Sequence, residues 1–300
     1  MRTNESPPRN RGESPPRKLG ESPPRKLGQL ILGAVAYDAK VVPIWEGFKL
    51  YFEAAGLPFD FVLYSNYERQ VEAHLRDEID VAWNSPLAWL EAERGAKRLG
   101  RAAEAIAMRD TDCDLTSVVL VRADGPAQTV KDLGGKRIAV GASDSPQATL
   151  IPLVALAEAG VEGTVVRHDI AVGKHGDHVG GERDAVKALL AGTAEAACVI
   201  DGNRLAFIRE GLIGAATLRV VLQTAPYDHC NFTILDGAPP SIGRFRELLL
   251  AMSYDDPAVR PLLDMEGLKV WKPGRTSGYA QLERAVDRYG TLAPWLAQYP

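Results

Sequence analysis

The chain has 300 residues, 46% of them hydrophobic, and a formal net charge of −4. This acidic balance argues against a nucleic-acid-binding protein, and no apolar run approaches the roughly 18 residues that a membrane-spanning helix needs. The length suffices for one large or two medium hydrophobic cores. The three cysteines, Cys113, Cys198 and Cys230, are too few and too widely spaced for a disulfide framework, and one bond between Cys113 and Cys230 stays an open alternative.

A proline-rich repeat dominates residues 1–28. The sequence Glu-Ser-Pro-Pro-Arg begins at Glu5, Glu13 and Glu21. Proline at this density supports neither helices nor β-ladders, which predicts a disordered extension. The segment lacks the apolar core and cleavage site of a signal peptide. We therefore expect a cytoplasmic protein for the sequence as written, and a periplasmic one if the natural N-terminus differs.

Strands and helices alternate from residue 29 onwards. Strands are predicted over residues 29–36, 59–64 and 79–83, each followed by a helix with apolar residues at helical spacing. Repeated strand–helix units predict a parallel sheet, with ligands bound outside the carboxyl ends of the strands. Trp83 ends the third strand on the loop side, where it is a candidate wall of a binding cleft.

A second α/β unit follows. A strand over 118–122 leads to the turn 123–126, where we place a crossing into a second lobe. The strands of that lobe are predicted over 137–141, 164–168 and 196–200. Segments 220–224 and 232–235 form the return path, and helices over 242–252 and 278–289 close the chain. This order predicts two lobes, residues 29–122 with 225–300 and residues 123–224, separated by a hinge and a cleft.

The loop after the strand at 137–141 is a predicted binding site. It contains Ser143, Ser145 and Gln147, and a helix follows it. Free backbone N–H groups and the helix dipole at such a loop favour an anionic or carbonyl-bearing ligand.

Several segments, in their order, resemble the phosphate/phosphonate-type solute-binding proteins of ABC transporters, which have the type II periplasmic-binding-protein fold. They are Ile79-Asp-Val-Ala-Trp-Asn-Ser-Pro-Leu-Ala, Ser117-Val-Val-Leu-Val-Arg, Asp132-Leu-Gly-Gly-Lys-Arg-Ile-Ala-Val-Gly and the run from Asp184 to Ala197. The resemblance covers roughly residues 29 to 290. It implies an α/β, two-lobed protein that captures a small polar or anionic ligand and passes it to an ABC permease, without a cofactor.

Matching this family position by position gives candidate ligand contacts. In the first lobe and at the crossing strand these are Tyr37, Tyr67, Asn84, Ser85 and Ser117. The Gly-rich loop with His175 and His178 corresponds to a polar loop that reaches the cleft in the family.

The anion loop departs from the family pattern. The family usually has Ser-Thr-Ser-Gly where this chain has Ser145-Pro146-Gln147-Ala148. Pro146 lacks the N–H of an anion cradle, and the adjacent Asp144 would repel a dianion. The ligand is therefore open between a phosphonate, a carboxylate, an amide and a zwitterion.

A second hypothesis is an enzyme on the same scaffold. Cys113, His229 and Cys230 would meet at the cleft floor if the two crossing segments run side by side, and they would supply a nucleophile and a base. Imidazole and thiolate also suit metal ions, which makes His175, His178 and His229 weaker metal candidates. Cys198, within an apolar run, is predicted to be a core residue.

Overall fold

A computed structural model describes residue 20 and residues 28–169, 178–214 and 216–290. Two β-sheets, each with helices packed around it, form the predicted two-lobed α/β architecture. The predicted disordered extension lies outside the described residues except for Gly20 and Gly28. Among the helices of the described ranges, none is long and apolar enough to cross a membrane.

Strands and helices alternate along the described chain. In order, the strands are β1 (Leu30–Val35), β2 (Phe59–Tyr64), β3 (Val81–Asn84), β4 (Ala103–Arg109), β5 (Ser117–Arg122), β6 (Arg137–Val140), β7 (Thr164–Arg167), β8 (Ala196–Ile200), β9 (Leu218–Gln223), β10 (Asn231–Leu235) and β11 (Trp271–Pro273). The helices are α1 (Val41–Ala54), α2 (Tyr67–Leu75), α3 (Pro86–Arg98), α4 (Ile151–Glu158), α5 (His178–Leu190), α6 (Asp201–Arg209), α7 (Ser241–Leu250), α8 (Arg260–Glu266) and α9 (Ala280–Tyr289). A π-helical turn, Pro146–Leu150, leads into α4.

The first sheet has the strand order β11-β4-β10-β3-β1-β2. β1 lies between β2 and β3 and is parallel to both, as the strand–helix units predicted. β10 and β11 are antiparallel to their neighbours, so the complete sheet is mixed although the predicted units β1, β2 and β3 are parallel. The reason is that β10 enters this sheet from the second lobe and runs in the opposite direction.

Aromatic side chains fill the core of the first lobe. Trp45, Phe48 and Phe52 on one face of α1 are buried, and the Phe52 ring lies 4.8 Å from that of Phe59 and 4.9 Å from that of Phe245. Large buried aromatic rings contribute much of the free energy of core formation, because each removes a large apolar area from water. This packing fixes α1 and the loop before it against the sheet.

Two helices begin at the carboxyl edge of this sheet with side-chain caps. The Asn66 side chain accepts a hydrogen bond from the Arg69 N–H at the start of α2 (2.9 Å). Ser85 accepts one from the Ala88 N–H at the start of α3 (3.3 Å), where Pro86 occupies the first helical turn. These caps satisfy N–H groups that the helices leave unpaired. They also place Tyr67 and Ser85 directly after β2 and β3.

The chain passes between the sheets at residues 110–116 and again at residues 224–230. β5 pairs with β8 and β9 of the second sheet, so the first crossing precedes β5. The turn at 123–126, where we expected the crossing, instead ends β5 within the second lobe. The two crossing segments lie side by side, because the N–H groups of Leu115 and Tyr227 each donate to the other residue's carbonyl at 2.8 Å.

The second sheet has the order β7-β6-β8-β5-β9. β6 is parallel to β7 and to β8, whereas β5 is antiparallel to β8 and β9. Cys198 on β8 is fully buried in the core between this sheet and α4, as predicted. The loop 141–145 therefore follows a central parallel strand, at the carboxyl edge where the predicted anion site lies.

The C-terminal helix α9 joins the two lobes. Its residues Leu282 and Val286 belong to one apolar cluster with Trp89 of α3 and with Leu150 and Val154 of the second lobe. Arg284 of α9 also pairs with Glu158 of α4 at 3.0 Å. The start of α4 in the second lobe thus packs against α9, which also packs against α3 of the first lobe.

An ionic cluster holds the two crossing segments to the segment that precedes α9. Arg275 donates to both carboxylate oxygens of Asp228, at 2.7 and 2.6 Å, and to Asp114 at 2.7 Å. Asp228 is buried and also accepts from the Asp114 N–H at 3.1 Å. The Asp228 carboxylate thus satisfies donors from the first crossing and from the C-terminal segment at the same time.

We expect Asp228→Ala to lower the free energy of unfolding by about 2 to 3 kcal/mol. Removing one partner of a buried pair typically costs about 3 to 5 kcal/mol, and the partly exposed Arg275 recovers some hydration. Urea unfolding followed by circular dichroism measures the change. Asp287→Ala, which removes an exposed pair with Arg94, is the control and should cost less than about 1 kcal/mol. Equal losses in the two variants would contradict a structural role for Asp228.

Candidate functional site

Three donor atoms of the crossing segments meet beside the end of β4 and the start of β10. The His229 Nδ1 lies 3.1 Å from the Cys230 Sγ and 3.5 Å from the Asp112 Oδ1. The His229 N–H donates to the Asp112 carbonyl at 2.9 Å, which fixes the backbones relative to each other. We expected Cys113 to approach His229 and Cys230, but it is Asp112 that does so.

Arg109, the last residue of β4, connects Asp112 to Glu266 at the end of α8. Its Nε and Nη2 donate to the two carboxylate oxygens of Asp112, at 2.5 and 3.0 Å. Its Nη1 donates to the Glu266 carbonyl at 2.9 Å and to the Glu266 Oε1 at 3.2 Å. The guanidinium carbon lies 5.2 Å from the centre of the Trp83 ring, a cation–π distance. Most donors of Arg109 are therefore occupied within the protein.

The pKa values of the two carboxylates around Arg109 are shifted in opposite directions. Burial alone would raise the pKa of Asp112, but the Arg109 charge and the hydrogen bond from His229 lower it to about 2. Burial raises the pKa of Glu266 to about 7, against the opposing charge of Arg109. Near neutral pH, Asp112 is thus ionised, whereas Glu266 is present in both its charged and its neutral form.

Tyr37 and Tyr67 lie beside this group, at the ends of β1 and β2. Burial raises the pKa of Tyr37 to about 12, and Glu266, Arg109 and Cys230 are close enough to contribute. Burial also raises the pKa of Tyr67, with a contribution from Cys230 and Tyr37. Both phenols are neutral at physiological pH, which lies well below the ordinary phenol pKa. Tyr37 is about half exposed, and the Lys40 ammonium lies 5.6 Å from its ring centre.

The second lobe presents a polar loop at the end of β6. The Ser145 hydroxyl accepts from the Ala148 N–H at 3.1 Å and so caps the turn that leads into α4. The Ser117 hydroxyl donates to the Gln147 carbonyl at 2.5 Å and shares a 2.7 Å hydrogen bond with the Tyr227 hydroxyl. The Gln147 Oε1 is buried and has no hydrogen-bond partner among the described residues. It is therefore an unsatisfied hydrogen-bond acceptor at this edge of the sheet.

Several predicted contacts have structural roles instead. Asn84 is fully buried, accepts from the Gln70 amide at 2.8 Å and donates to the Thr233 hydroxyl at 2.8 Å. Its amide therefore belongs to a core network and not to the cleft, which corrects its assignment as a ligand contact. Ser117 and Ser145 are fully buried and hydrogen-bonded as described above.

The remaining predicted contacts lie in three different environments: the core, the partly or fully exposed surface, and positions whose side chains are outside the described part of the chain. Trp83 packs against Phe232 (4.7 Å) and Trp271 (5.8 Å), and Arg109 covers it, so it is a core residue and not an open cleft wall. Ser85 is half-buried and Ser143 is exposed. His175 lies outside the described residues, and so does the side chain of His178.

The cysteines do not have the character of catalytic nucleophiles. A reactive thiol needs a pKa below its usual value, because the thiolate is the attacking species. Burial raises the pKa of the Cys230 thiol well above its usual range and also raises that of Cys113. Cys113 and Cys230 are both free, and the Cys113 Sγ makes a weak hydrogen bond to the Arg109 carbonyl (3.4 Å). The geometry gives the enzyme hypothesis no support.

Asp112 and Glu266 are not among the residues that the sequence pattern predicted for the site. Asp112 follows Arg109 by three residues, a spacing that one 3-10 turn brings into contact. This Arg-x-x-Asp spacing was a usable local signal. Glu266 lies 157 residues from Arg109, on a helix that the pattern did not predict, so no local signal identified it.

The family comparison matches most of the chain. Residues 36–283 match a family model described as an ABC transporter, phosphonate, periplasmic substrate-binding protein. No curated protein sequence matches the chain significantly.

Solved structures have the same fold at low sequence identity. PhnD1 from Prochlorococcus marinus, in complex with methylphosphonate, is 17% identical, with a TM-score of 0.61 over 89% of this chain and 100% of that chain. XAC2383 from Xanthomonas citri, bound to ATP, is 16% identical, with a TM-score of 0.64 over 87% and 99%. The periplasmic aliphatic sulphonate binding protein SsuA from Escherichia coli is 16% identical, with a TM-score of 0.52 over 91% and 94%.

We expect Glu266→Gln to change how stability depends on pH. The folded pKa of Glu266, about 7, lies above its ordinary value of 4.5. Its contribution to stability is therefore fully present below about pH 4.5 and is lost as the pH rises through about 7. The variant should gain about 2 to 3 kcal/mol relative to the wild type between about pH 5 and pH 8.

Urea unfolding at both pH values measures this gain. Glu247→Gln is the matched control, because Glu247 is an exposed carboxylate paired with Arg244 at 2.9 Å. A difference between wild type and Glu266→Gln that does not change with pH would show that Glu266 has an ordinary pKa.

Proposed function

This chain belongs to the phosphonate-type periplasmic substrate-binding proteins of ABC transporters, and we propose that it captures a small solute with a singly charged oxyanion group between its lobes. We further infer that it releases this solute to an ABC permease. The family description supports both inferences, since its members are the substrate-binding components of such transporters.

The observation that carries this proposal is the neutral, half-exposed Tyr37 phenol beside the Arg109 group. Tyr37 and Tyr67 follow adjacent parallel strands, at the sheet edge where ligands of α/β proteins bind. Phenols are protonated at neutral pH, and burial raises the pKa values of both residues further. The Tyr37 O–H donor at this edge suits the oxygens of an oxyanion, because hydrogen bonds to a charged acceptor are stronger than those between neutral groups.

The charges around the site favour a monoanion over a dianion. Asp112 and Glu266 lie on the first-lobe side, and Asp144 is buried in the second-lobe loop. Arg109 is engaged by Asp112 and Glu266 and so offers little free positive charge. A like-charge pair at about 6 Å costs about 3 kcal/mol at an effective dielectric constant near 20. A second negative charge on the solute would therefore weaken its binding.

The structural neighbours support the oxyanion class. The complex of PhnD1 contains methylphosphonate, and SsuA is an aliphatic sulphonate binding protein. Both groups present several oxygens around one atom, and each of these oxygens can accept a hydrogen bond from an O–H donor such as Tyr37. The sulphonate is the singly charged member of this pair, and it is the solute type that we favour.

We propose that closure moves two bodies about the paired crossing segments. The first contains residues 28–109 and 231–290, and the second contains residues 117–223. These boundaries follow the two sheets and shift our sequence-based boundary at residue 122 to the crossing itself. Two antiparallel crossing segments that lie side by side form a natural hinge. The periplasmic description of the family supports the periplasm as the place of action.

We expect isothermal titration calorimetry to detect one bound methanesulphonate or carboxylate monoanion per chain. Tyr37→Phe should weaken this binding about 10- to 100-fold, since it removes one hydrogen bond to a charged group. Methylphosphonate should bind more weakly at about pH 8.5, where it is a dianion, than at about pH 6, where it is a monoanion.

Tyr51→Phe is the matched control, because its hydroxyl bonds to the Leu248 carbonyl away from the site (3.0 Å). It should leave the affinity unchanged. Tighter binding of the phosphonate dianion than of the monoanion would overturn the preference for a single charge. Equal affinities of Tyr37→Phe and wild type for every bound anion would remove Tyr37 from the site.

A further inference from the structure

The three donor atoms at the crossing segments have the spacing of a metal site. The Asp112 carboxylate, the His229 Nδ1 and the Cys230 Sγ all lie within 4.8 Å of one another. A tetrahedral zinc ion has bonds of about 2.0 to 2.3 Å to such donors, which places the donor atoms about 3.4 to 3.6 Å apart. The observed 3.1 Å from His229 to Cys230 and 3.5 Å from His229 to Asp112 need only small adjustments.

The backbone already holds these donors in position. His229 and Asp112 are joined by a main-chain hydrogen bond of 2.9 Å, and His229 and Cys230 are consecutive residues. The Leu115–Tyr227 bridge and the Arg275 contacts to Asp228 and Asp114 hold the same two segments on either side. Little ordering would be needed when a metal ion binds, and a preorganised site loses less free energy on binding.

Arg109 acts as an outer-shell group for this site. It donates to both oxygens of Asp112, yet each carboxylate oxygen has two acceptor positions, so Asp112 can still bind a metal ion. Ligating carboxylates are commonly held by such outer hydrogen bonds, which fix their orientation. A Zn²⁺ ion and Arg109 would together balance the Cys230 thiolate, Asp112 and an ionised Glu266, so the buried group would be neutral.

We propose that Asp112, His229 and Cys230 form a binding site for a thiophilic divalent metal ion, with Zn²⁺ as the best match, at the floor of the interlobe cleft. A thiolate, an imidazole and a carboxylate are zinc ligands, and three protein ligands leave the fourth position open. The site stands on its own donors and does not depend on the identity of the solute.

Zinc titration of the metal-stripped full chain, in competition with a chromophoric chelator, tests the site. We expect one Zn²⁺ per chain with a sub-micromolar dissociation constant. With Co²⁺ as a spectroscopic probe, we expect a thiolate-to-cobalt charge-transfer band. Cys230→Ala and His229→Ala should each weaken Zn²⁺ binding at least about 100-fold, the upper end of the loss that outer-shell changes cause, and Cys230→Ala should abolish the band.

Cys198→Ala is the matched control, because Cys198 is a buried cysteine in the second sheet. It should keep both the affinity and the band. His229 is partly exposed, so His229→Ala removes one donor without opening the core, and circular dichroism checks that each variant is folded.

Wild-type protein that takes up no stoichiometric Zn²⁺ would overturn the proposal. So would a Cys230→Ala variant that keeps the affinity and the band, since the metal ion would then lie elsewhere. The outcome is separate from the anion measurements: a chain that binds Zn²⁺ but no oxyanion supports this site and overturns the proposed solute class.

Discussion

The pairing of the two crossing segments is the constraint on which the rest of the structure depends. Residues 110–116 and 224–230 leave different sheets, yet the Leu115–Tyr227 bridge and the buried Asp228 carboxylate hold them side by side. Polar groups with this degree of burial are costly unless they are satisfied, so a hydrogen-bonded arrangement of the segments is strongly preferred over alternatives. The pairing brings Asp112 to His229 and Cys230, so the proposed hinge and the candidate site share the same two segments.

The two lobes contribute different properties to this site. The first lobe is rigid, because its aromatic core supports α1 and caps fix the starts of α2 and α3. The second lobe contributes the loop after β6, whose hydroxyls are mostly used to shape the turn into α4. Since α9 packs against both α3 and α4, the proposed closure would have to preserve or break this apolar contact. This contact is a physical basis for two discrete states.

The sequence pattern predicted most of the fold, and its ligand-contact residues stay predictions. Alternating strands and helices identified the parallel units, and the positions of Tyr37 and Tyr67 after their strands followed directly. The pattern did not reveal that Asn84 faces the core, because polarity alone does not distinguish a cleft residue from a buried hydrogen-bonding one. Nor could it reveal the Arg109–Glu266 pair, whose members are far apart in the chain and meet only through tertiary packing.

The ion pairs within the protein limit which charged solutes the proposed cleft would bind. Arg109 and Arg275 are both engaged by carboxylates of the protein, so neither is a free cation for a solute. In the proposed binding mode, the neutral Tyr37 hydroxyl would stabilise an anion without the strong attraction for a second charge that a free guanidinium would provide. An ion at Asp112, His229 and Cys230 would change this balance, because it would place a new positive charge beside the same tyrosines. The selectivity of the cleft and the occupancy of the metal site would therefore be thermodynamically coupled.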